Sequence, residues 1–137
     1  FWEAMGGFDL SYEMYGEEAD LCLRARREGA RPTVTPDATI VHHGGASEAV
    51  RSQKHVKLIR AKITLAHRHM HGVGAAITVW MLRVWPLSRW LAAGVLARLR
   101  PGTEIERVRG DWRQVWADRR VWWNGYPATS PDPAAGS

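Results

Sequence analysis

The sequence predicts an α/β fold in its first 48 residues, followed by basic amphipathic helices. Three observations predict it: a cluster of acids at residues 17–20, two short β-branched stretches within residues 31–43, and a stripe of apolar residues at helical spacing after residue 48. The acids are typical of a helix start and the β-branched stretches of strands. The order of helix, strand, turn and strand is that of an α/β unit.

The acidic cluster opens a predicted helix over Glu17–Glu28. Glu17, Glu18 and Asp20 lie in its first turn, where the helix dipole favours negative charge, and Gly29 is the expected stop. Dipole complementarity alone could explain these acids. Alternatively, the adjacent carboxylates form part of a functional site.

The two β-branched stretches are Thr33–Thr35 and Thr39–Val41, separated by a turn at Pro36-Asp37. The second stretch runs into His42-His43-Gly44-Gly45, and Ser47 is placed to cap the next helix. An acidic helix start followed by a strand that ends in histidine indicates a site.

The next predicted helix spans Glu48–Met70 and carries one apolar stripe: Val56, Ile59, Ile63, Ala66 and Met70. Three histidines, His67, His69 and His71, lie at its end. His67 and His71 have the spacing of a zinc pair, but no nearby cysteine or acid completes a ligand set. A solvated basic helix end is the favoured interpretation.

The region Gly72–Leu99 mixes tryptophan and arginine. Pro86 is expected to break or kink it, and two amphipathic helices are predicted. Its longest uncharged run, Gly72–Leu82, has 11 residues, whereas a membrane span needs about 20 apolar residues. No transmembrane segment is therefore predicted. A membrane interface, packing on the chain's own body or a partner subunit, and stacking on nucleic acid stay open, the last being least favoured.

Charge is distributed unevenly along the chain. The net charge is +5, but residues 1–48 carry −5, residues 49–103 carry ten bases and no acid, and residues 104–137 carry five of each. The basic middle predicts an anionic partner, either a membrane surface or nucleic acid. The single cysteine, Cys22, excludes an intrachain disulfide.

The 137 residues are interpreted as the C-terminal part of a longer protein, because the chain begins at Phe1 with residues typical of the middle of a domain. Four segments are predicted. They are the site region (1–48), a basic helix (49–71), a Trp/Arg-rich amphipathic helical region (72–126) and a disordered tail (127–137).

An ordered set of motifs in residues 1–50 resembles family 2 glycosyltransferases, most closely their rhamnosyltransferase-like members. The motifs are Gly6-Gly7-Phe8-Asp9, the stretch Met14–Arg24, Gly29, Pro36-Asp37-Ala38 and His42–Ser47. The resemblance implies a GT-A nucleotide-sugar transferase sandwich. It also implies inverting transfer of a hexose-type sugar, with rhamnose as the suggested one, in cell-envelope polysaccharide synthesis.

The resemblance also implies roles for the acidic helix. Glu18 takes the position of the general base, where the family usually has aspartate. Glu17 and Asp20 shape the acceptor pocket, and Arg24 orients these carboxylates. A carboxylate within about 3 Å of an acceptor hydroxyl can take its proton during attack.

Three further residues complete the implied site. Gly6 and Gly7 resemble the loop that contacts the acceptor and donor sugar, and His42, in preference to His43, resembles a metal ligand. The implied cofactor is a divalent metal, Mn or Mg, which stabilises the leaving diphosphate.

The implied partners are a nucleotide-sugar donor, a glycan or lipid-linked acceptor and an anionic membrane surface. Nucleic acid is not expected, and a second copy of the chain is a further candidate partner. The expected location is cytoplasmic, peripheral at the inner face of the cell membrane. The isolated segment is expected to be inactive because the donor half is missing. The alternative is a non-catalytic basic module that binds membranes or nucleic acid.

Overall fold

The computed structural model describes residues 1–41 and 51–127 of the chain, and within them every regular element is helical. The elements are α1 (Glu17–Arg27), α2 (Arg51–His69), α3 (Gly72–Leu99), α4 (Thr103–Ala117) and α5 (Arg119–Trp122). These residues contain no strand. The predicted α/β class, as the C-terminal portion of a GT-A sandwich, is therefore wrong. The Ser47 cap, and residues 128–137 of the predicted tail, lie outside the described residues.

The two β-branched stretches fail as strands for lack of a partner. Residues 31–41 are all exposed. Pro36 and Asp37 form a turn, in which the Thr35 hydroxyl donates to the Asp37 carboxylate at 2.9 Å. An isolated pair of short strands is marginally stable in water. No other described segment offers an edge on which they could pair.

Helix α1 follows the predicted boundaries closely. Its last turn is closed by Gly29 (φ 83°), and the amide of Ala30 donates to the Ala25 carbonyl at 3.0 Å. At its other end Gly16 (φ 90°) allows close approach to α2, because a Cβ atom there would lie 3.2 Å from the Ala61 Cβ. A side chain at residue 16 would push α1 away from α2.

Helix α2 supplies the centre of the core. The predicted apolar stripe is confirmed for Val56, Ile59, Ile63 and Ala66, all of which are buried, whereas Met70 is 39% exposed because α2 ends at His69. The stripe packs against buried side chains of α3, α4 and α5: Val79, Trp112, Val115 and Trp122. Burying each large side chain contributes about 1.5–3 kcal/mol.

Helix α3 is continuous through Pro86, so the prediction of two helices is wrong. A proline inside a helix costs about 3 kcal/mol, because its ring displaces a backbone hydrogen bond. Here the Pro86 ring is fully buried on the inner side of α3, next to the α3–α4 contact. Helices α3 and α4 form an antiparallel hairpin, as the contacts of Gly94 with Arg109 and of Trp85 with Trp112 indicate.

The segment after α5 closes the structure back onto α2. The Tyr126 amide donates to the Thr64 hydroxyl at 2.7 Å, and the Tyr126 hydroxyl donates to the Met14 carbonyl at 3.1 Å. Gly125 (φ 77°) makes this approach possible, because a Cβ atom there would lie 2.6 Å from the Thr64 hydroxyl oxygen. The C-terminal segment thus links α2 to the loop that precedes α1.

We expect Gly125→Ala to lower the free energy of unfolding by about 1–3 kcal/mol more than Gly29→Ala. Both glycines have positive φ, but a Cβ at Gly29 meets nothing within 4 Å. The difference therefore isolates the clash with Thr64 from backbone strain. Urea unfolding of both variants measures it, and equal losses would contradict the packing described for Gly125.

Candidate functional site

Asp20 is the buried carboxylate of the acidic cluster. Its side chain is 3% exposed and has two partners, the Arg24 guanidinium at 2.7 Å from Oδ2 and the His69 ring Nε2 at 2.7 Å from Oδ1. A buried charge is tolerated only when it is paired and hydrogen-bonded. Both oxygens of Asp20 are thus used to hold other parts of the chain.

Arg24 connects α1 to the glycine loop that precedes it. Its Nη1 donates to the Met5 carbonyl at 2.6 Å and its Nη2 to the Gly7 carbonyl at 2.8 Å. The Gly6 and Gly7 backbones have φ values of 68° and 67°, which glycine adopts without strain. One arginine thereby fixes the loop and pairs with Asp20.

His69 is the residue of this cluster that sequence analysis missed. Its side chain is 6% exposed and lies on Asp20, whereas His67 and His71 are exposed. The interpretation of a solvated helix end is therefore wrong for His69. Its Nδ1 atom is buried without a hydrogen-bond partner among the described residues. The 49-residue separation from Asp20 left no periodic signal for this pair.

A second polar group surrounds Tyr12 beside this cluster. Arg68 forms an ion pair with Asp9, donates to the Ser11 hydroxyl at 2.7 Å and lies 4.9 Å from the Tyr12 ring centroid. Partial burial raises the pKa of Asp9, but hydrogen bonds from Ser11 and the charge of Arg68 outweigh burial, so this pKa lies below its ordinary value.

The Tyr12 phenol is held neutral over an extended pH range. Burial, and next the charge of Asp20, raise the pKa of Tyr12 to about 12, against the opposing charge of Arg68. The unfolded chain loses this proton near pH 10, so the unfolded state binds fewer protons between pH 10 and 12. The stability contributed by the neutral phenol is thus present below pH 10 and is lost as pH rises through about 12.

The remaining two acids of the cluster differ from Asp20 in exposure. Glu17 is half-buried, and its Oε2 atom has no hydrogen-bond partner among the described residues. Glu18 is exposed, and its carboxylate forms no hydrogen bond or ion pair with any residue in the described part of the chain. The structure therefore assigns the three first-turn carboxylates to three environments, and Glu18 is the one open to a ligand.

The predicted metal ligand His42 lies outside the described residues, as does His43. Within residues 1–41 and 51–127 no three histidine, cysteine or carboxylate side chains come together as a possible metal site. The expectation of a divalent cation therefore stays a prediction.

No protein-family model, no curated protein and no solved structure matches this chain. The resemblance to family 2 glycosyltransferases implied a sheet, and the described residues form only helices. The assignment to that family and to a GT-A fold is therefore wrong.

The tyrosine pair beside the site provides a test of its packing. Tyr12 and Tyr126 are both 7% exposed, but the Tyr126 hydroxyl donates to Met14, whereas the Tyr12 hydroxyl has no described hydrogen-bond partner. We expect Tyr126→Phe to lower the free energy of unfolding at pH 7 by about 1 kcal/mol and Tyr12→Phe to change it by less than about 0.5 kcal/mol. Urea unfolding measures both, and a larger loss for Tyr12→Phe would contradict this arrangement.

Proposed function

We propose that the chain contributes the acceptor side of a sugar-transfer site in which Glu18 is the general base. A nucleotide-sugar is the donor, a glycan or lipid-linked saccharide is the acceptor, and transfer inverts the anomeric centre. Glu18 takes the proton of the acceptor hydroxyl as its oxygen attacks, and the nucleoside diphosphate leaves. The donor pocket is proposed to lie outside this chain, so the isolated chain is inactive.

The observation that carries the proposal is the division of roles among the first-turn acids. Asp20 is committed to Arg24 and His69, whereas Glu18 faces solvent without a described partner. A base has to reach its proton directly, within about 2.6–3.2 Å. The exposed carboxylate of Glu18 is accessible to an approaching hydroxyl, and Asp20 supports the helix from which Glu18 projects.

The glycine loop adds an aromatic surface suited to a saccharide. Trp2 and Phe8 are 53% and 43% exposed and pack edge to face at 5.2 Å. Trp2 also covers Gly7, where a Cβ atom would lie 3.2 Å from its ring. The C–H faces of sugar rings stack on such exposed aromatic rings, and Arg24 holds this loop on α1.

The proposed location is the cytoplasmic face of a membrane, where a lipid-linked acceptor would be available. The ten bases and no acids of residues 49–103 support attraction to anionic lipid. No helix in the described part of the chain is long and apolar enough to cross a bilayer. We propose that the basic residues attach the chain peripherally.

A second candidate function is membrane binding without catalysis. The observation that favours it is the large exposed apolar surface of α3, which includes Trp80 at 63% and Val73 at 75% exposure. The two functions separate at Glu18, because removing its charge would leave a binding module unaffected.

We expect Glu18→Gln to reduce sugar transfer by the complete natural polypeptide by about 10²–10⁴-fold, since glutamine cannot accept the proton. The measurement is nucleoside diphosphate release from a panel of nucleotide-sugars, including dTDP-rhamnose, with extracted lipid-linked acceptors. Repeating it with Mn²⁺, Mg²⁺ or a chelator tests the expected metal requirement.

The matched control for this measurement is Glu28→Gln, because Glu28 is an exposed glutamate at the other end of the same helix. It should retain full transfer. Undiminished transfer by Glu18→Gln, or equal losses in the two variants with unchanged circular dichroism, would overturn the assignment of Glu18 as the base.

A further inference from the structure

Helix α3 has two apolar faces, and the other described residues cover only one of them. The inner face, with Val79, Pro86, Ala93 and Ala97, is buried. The opposite side, which we call the outer face of α3, is exposed and carries Val73, Ile77, Trp80, Met81, Val84, Leu91, Val95 and Leu99, with Arg98 at its C-terminal end. At 1.5 Å per residue, this face is about 39 Å long.

The outer face follows a regular helical spacing, so it is a continuous surface. Ile77, Trp80, Val84, Leu91 and Val95 recur at intervals of three, four or seven residues, and the polar residue between them is Ser88. Monomeric proteins rarely expose contiguous apolar surfaces above a few hundred Å². A surface of this length indicates a binding partner.

Cations lie on both sides of the outer face. On one side, the Lys62 ammonium lies 5.9 Å from the Trp85 ring centroid, and Arg89 follows one turn later. On the other side, Arg83 donates to the Trp123 carbonyl at 2.9 and 3.0 Å and lies over the Trp123 ring. The apolar surface is thus bordered by fixed positive charge.

We propose that the outer face of α3 inserts into the interfacial region of an anionic bilayer. An amphipathic helix lies in the plane of the interface with its apolar side about 5–10 Å deep, and cations at its margins contact acidic headgroups. Trp80 and Trp85 suit this depth, because tryptophan favours the boundary between headgroups and acyl chains.

Charge also separates a bilayer from the other candidate partners. Residues 49–103 contain no acid, so neither α2 nor α3 supplies a carboxylate that would offset the basic borders if two copies paired through this face. Nucleic acid requires cations within the contact surface, whereas the centre of the outer face is apolar. An anionic bilayer satisfies both the apolar centre and the basic border.

This inference rests on the membrane location in the proposed function but not on sugar transfer. Glu18 lies on α1, away from the outer face, so Glu18→Gln should bind vesicles as the unmodified chain does. Loss of transfer in that variant and loss of vesicle binding in an α3 variant are therefore separate results.

The first test is sedimentation of the chain with vesicles of phosphatidylcholine that contain about 30% phosphatidylglycerol. The anionic lipid gives the vesicles a negative surface potential. The variant Ile77→Glu with Val84→Glu should raise the lipid concentration for half-maximal binding at least about tenfold, because apolar contacts are lost. Pure phosphatidylcholine should bind more weakly than the anionic mixture.

The matched control is Val34→Glu with Ile40→Glu, which changes the same residue types and the same net charge at exposed positions outside the helices. It should shift the half-maximal lipid concentration by less than about threefold, the part due to net charge alone. Equal effects in the two double variants, or no binding to anionic vesicles, would overturn the proposal.

A second measurement reports insertion directly and does not depend on the double variants. In a Cys22→Ser background, an environment-sensitive fluorophore on Val84→Cys should shift to shorter wavelength with vesicles and be quenched by brominated acyl chains, whereas the same label on Lys54→Cys should not. An unshifted label at residue 84 would overturn the proposal. The proposal would also be overturned if sedimentation without lipid showed a dimer and the variant Ile77→Glu with Val84→Glu were a monomer.

Discussion

The carboxylate of Asp20 is the constraint on which the arrangement of the N-terminal third depends. A buried carboxylate costs several kcal/mol unless its oxygens are paired, and the two partners of Asp20 come from different parts of the chain. Arg24 brings the carbonyls of Met5 and Gly7 with it, and His69 brings the end of α2. Because these contacts share one carboxylate, the loop, α1 and α2 are held together as a unit. Glu18, two residues earlier, is presented outward by the same helix.

The helical core and the two proposed activities occupy different parts of this structure. Helix α2 packs its apolar stripe on α3, α4 and α5, and its last turn carries the polar contacts of Arg68 and His69. The core therefore fixes the position of the candidate site relative to α3. The outer face of α3 takes no part in either set of contacts and is available for a bilayer. The proposed attachment and the proposed chemistry should accordingly be separable by mutation.

Local features of the sequence predicted the helices well and the tertiary contacts poorly. The bounds of α1 follow from its first-turn acids and Gly29, and the buried stripe of α2 follows from its periodicity. The prediction of two strands was wrong because a β-branched composition does not supply a strand to pair with. The prediction of two helices separated at Pro86 was wrong because the burial of Pro86 offsets the local cost of a helical proline. The pairing of Asp20 with His69 was not predictable, since two distant residues on separate helices leave no local pattern.

A double-mutant cycle between Asp20 and His69 tests the central claim most directly. Asp20→Asn, His69→Gln and the combined variant are compared with the unmodified chain by urea unfolding, and the coupling energy is the part that does not add. A charge-assisted, buried hydrogen bond predicts a coupling of about 1.5–3 kcal/mol. Additive losses, with a coupling near zero, would contradict the claim that Asp20 joins α1 to α2 through His69.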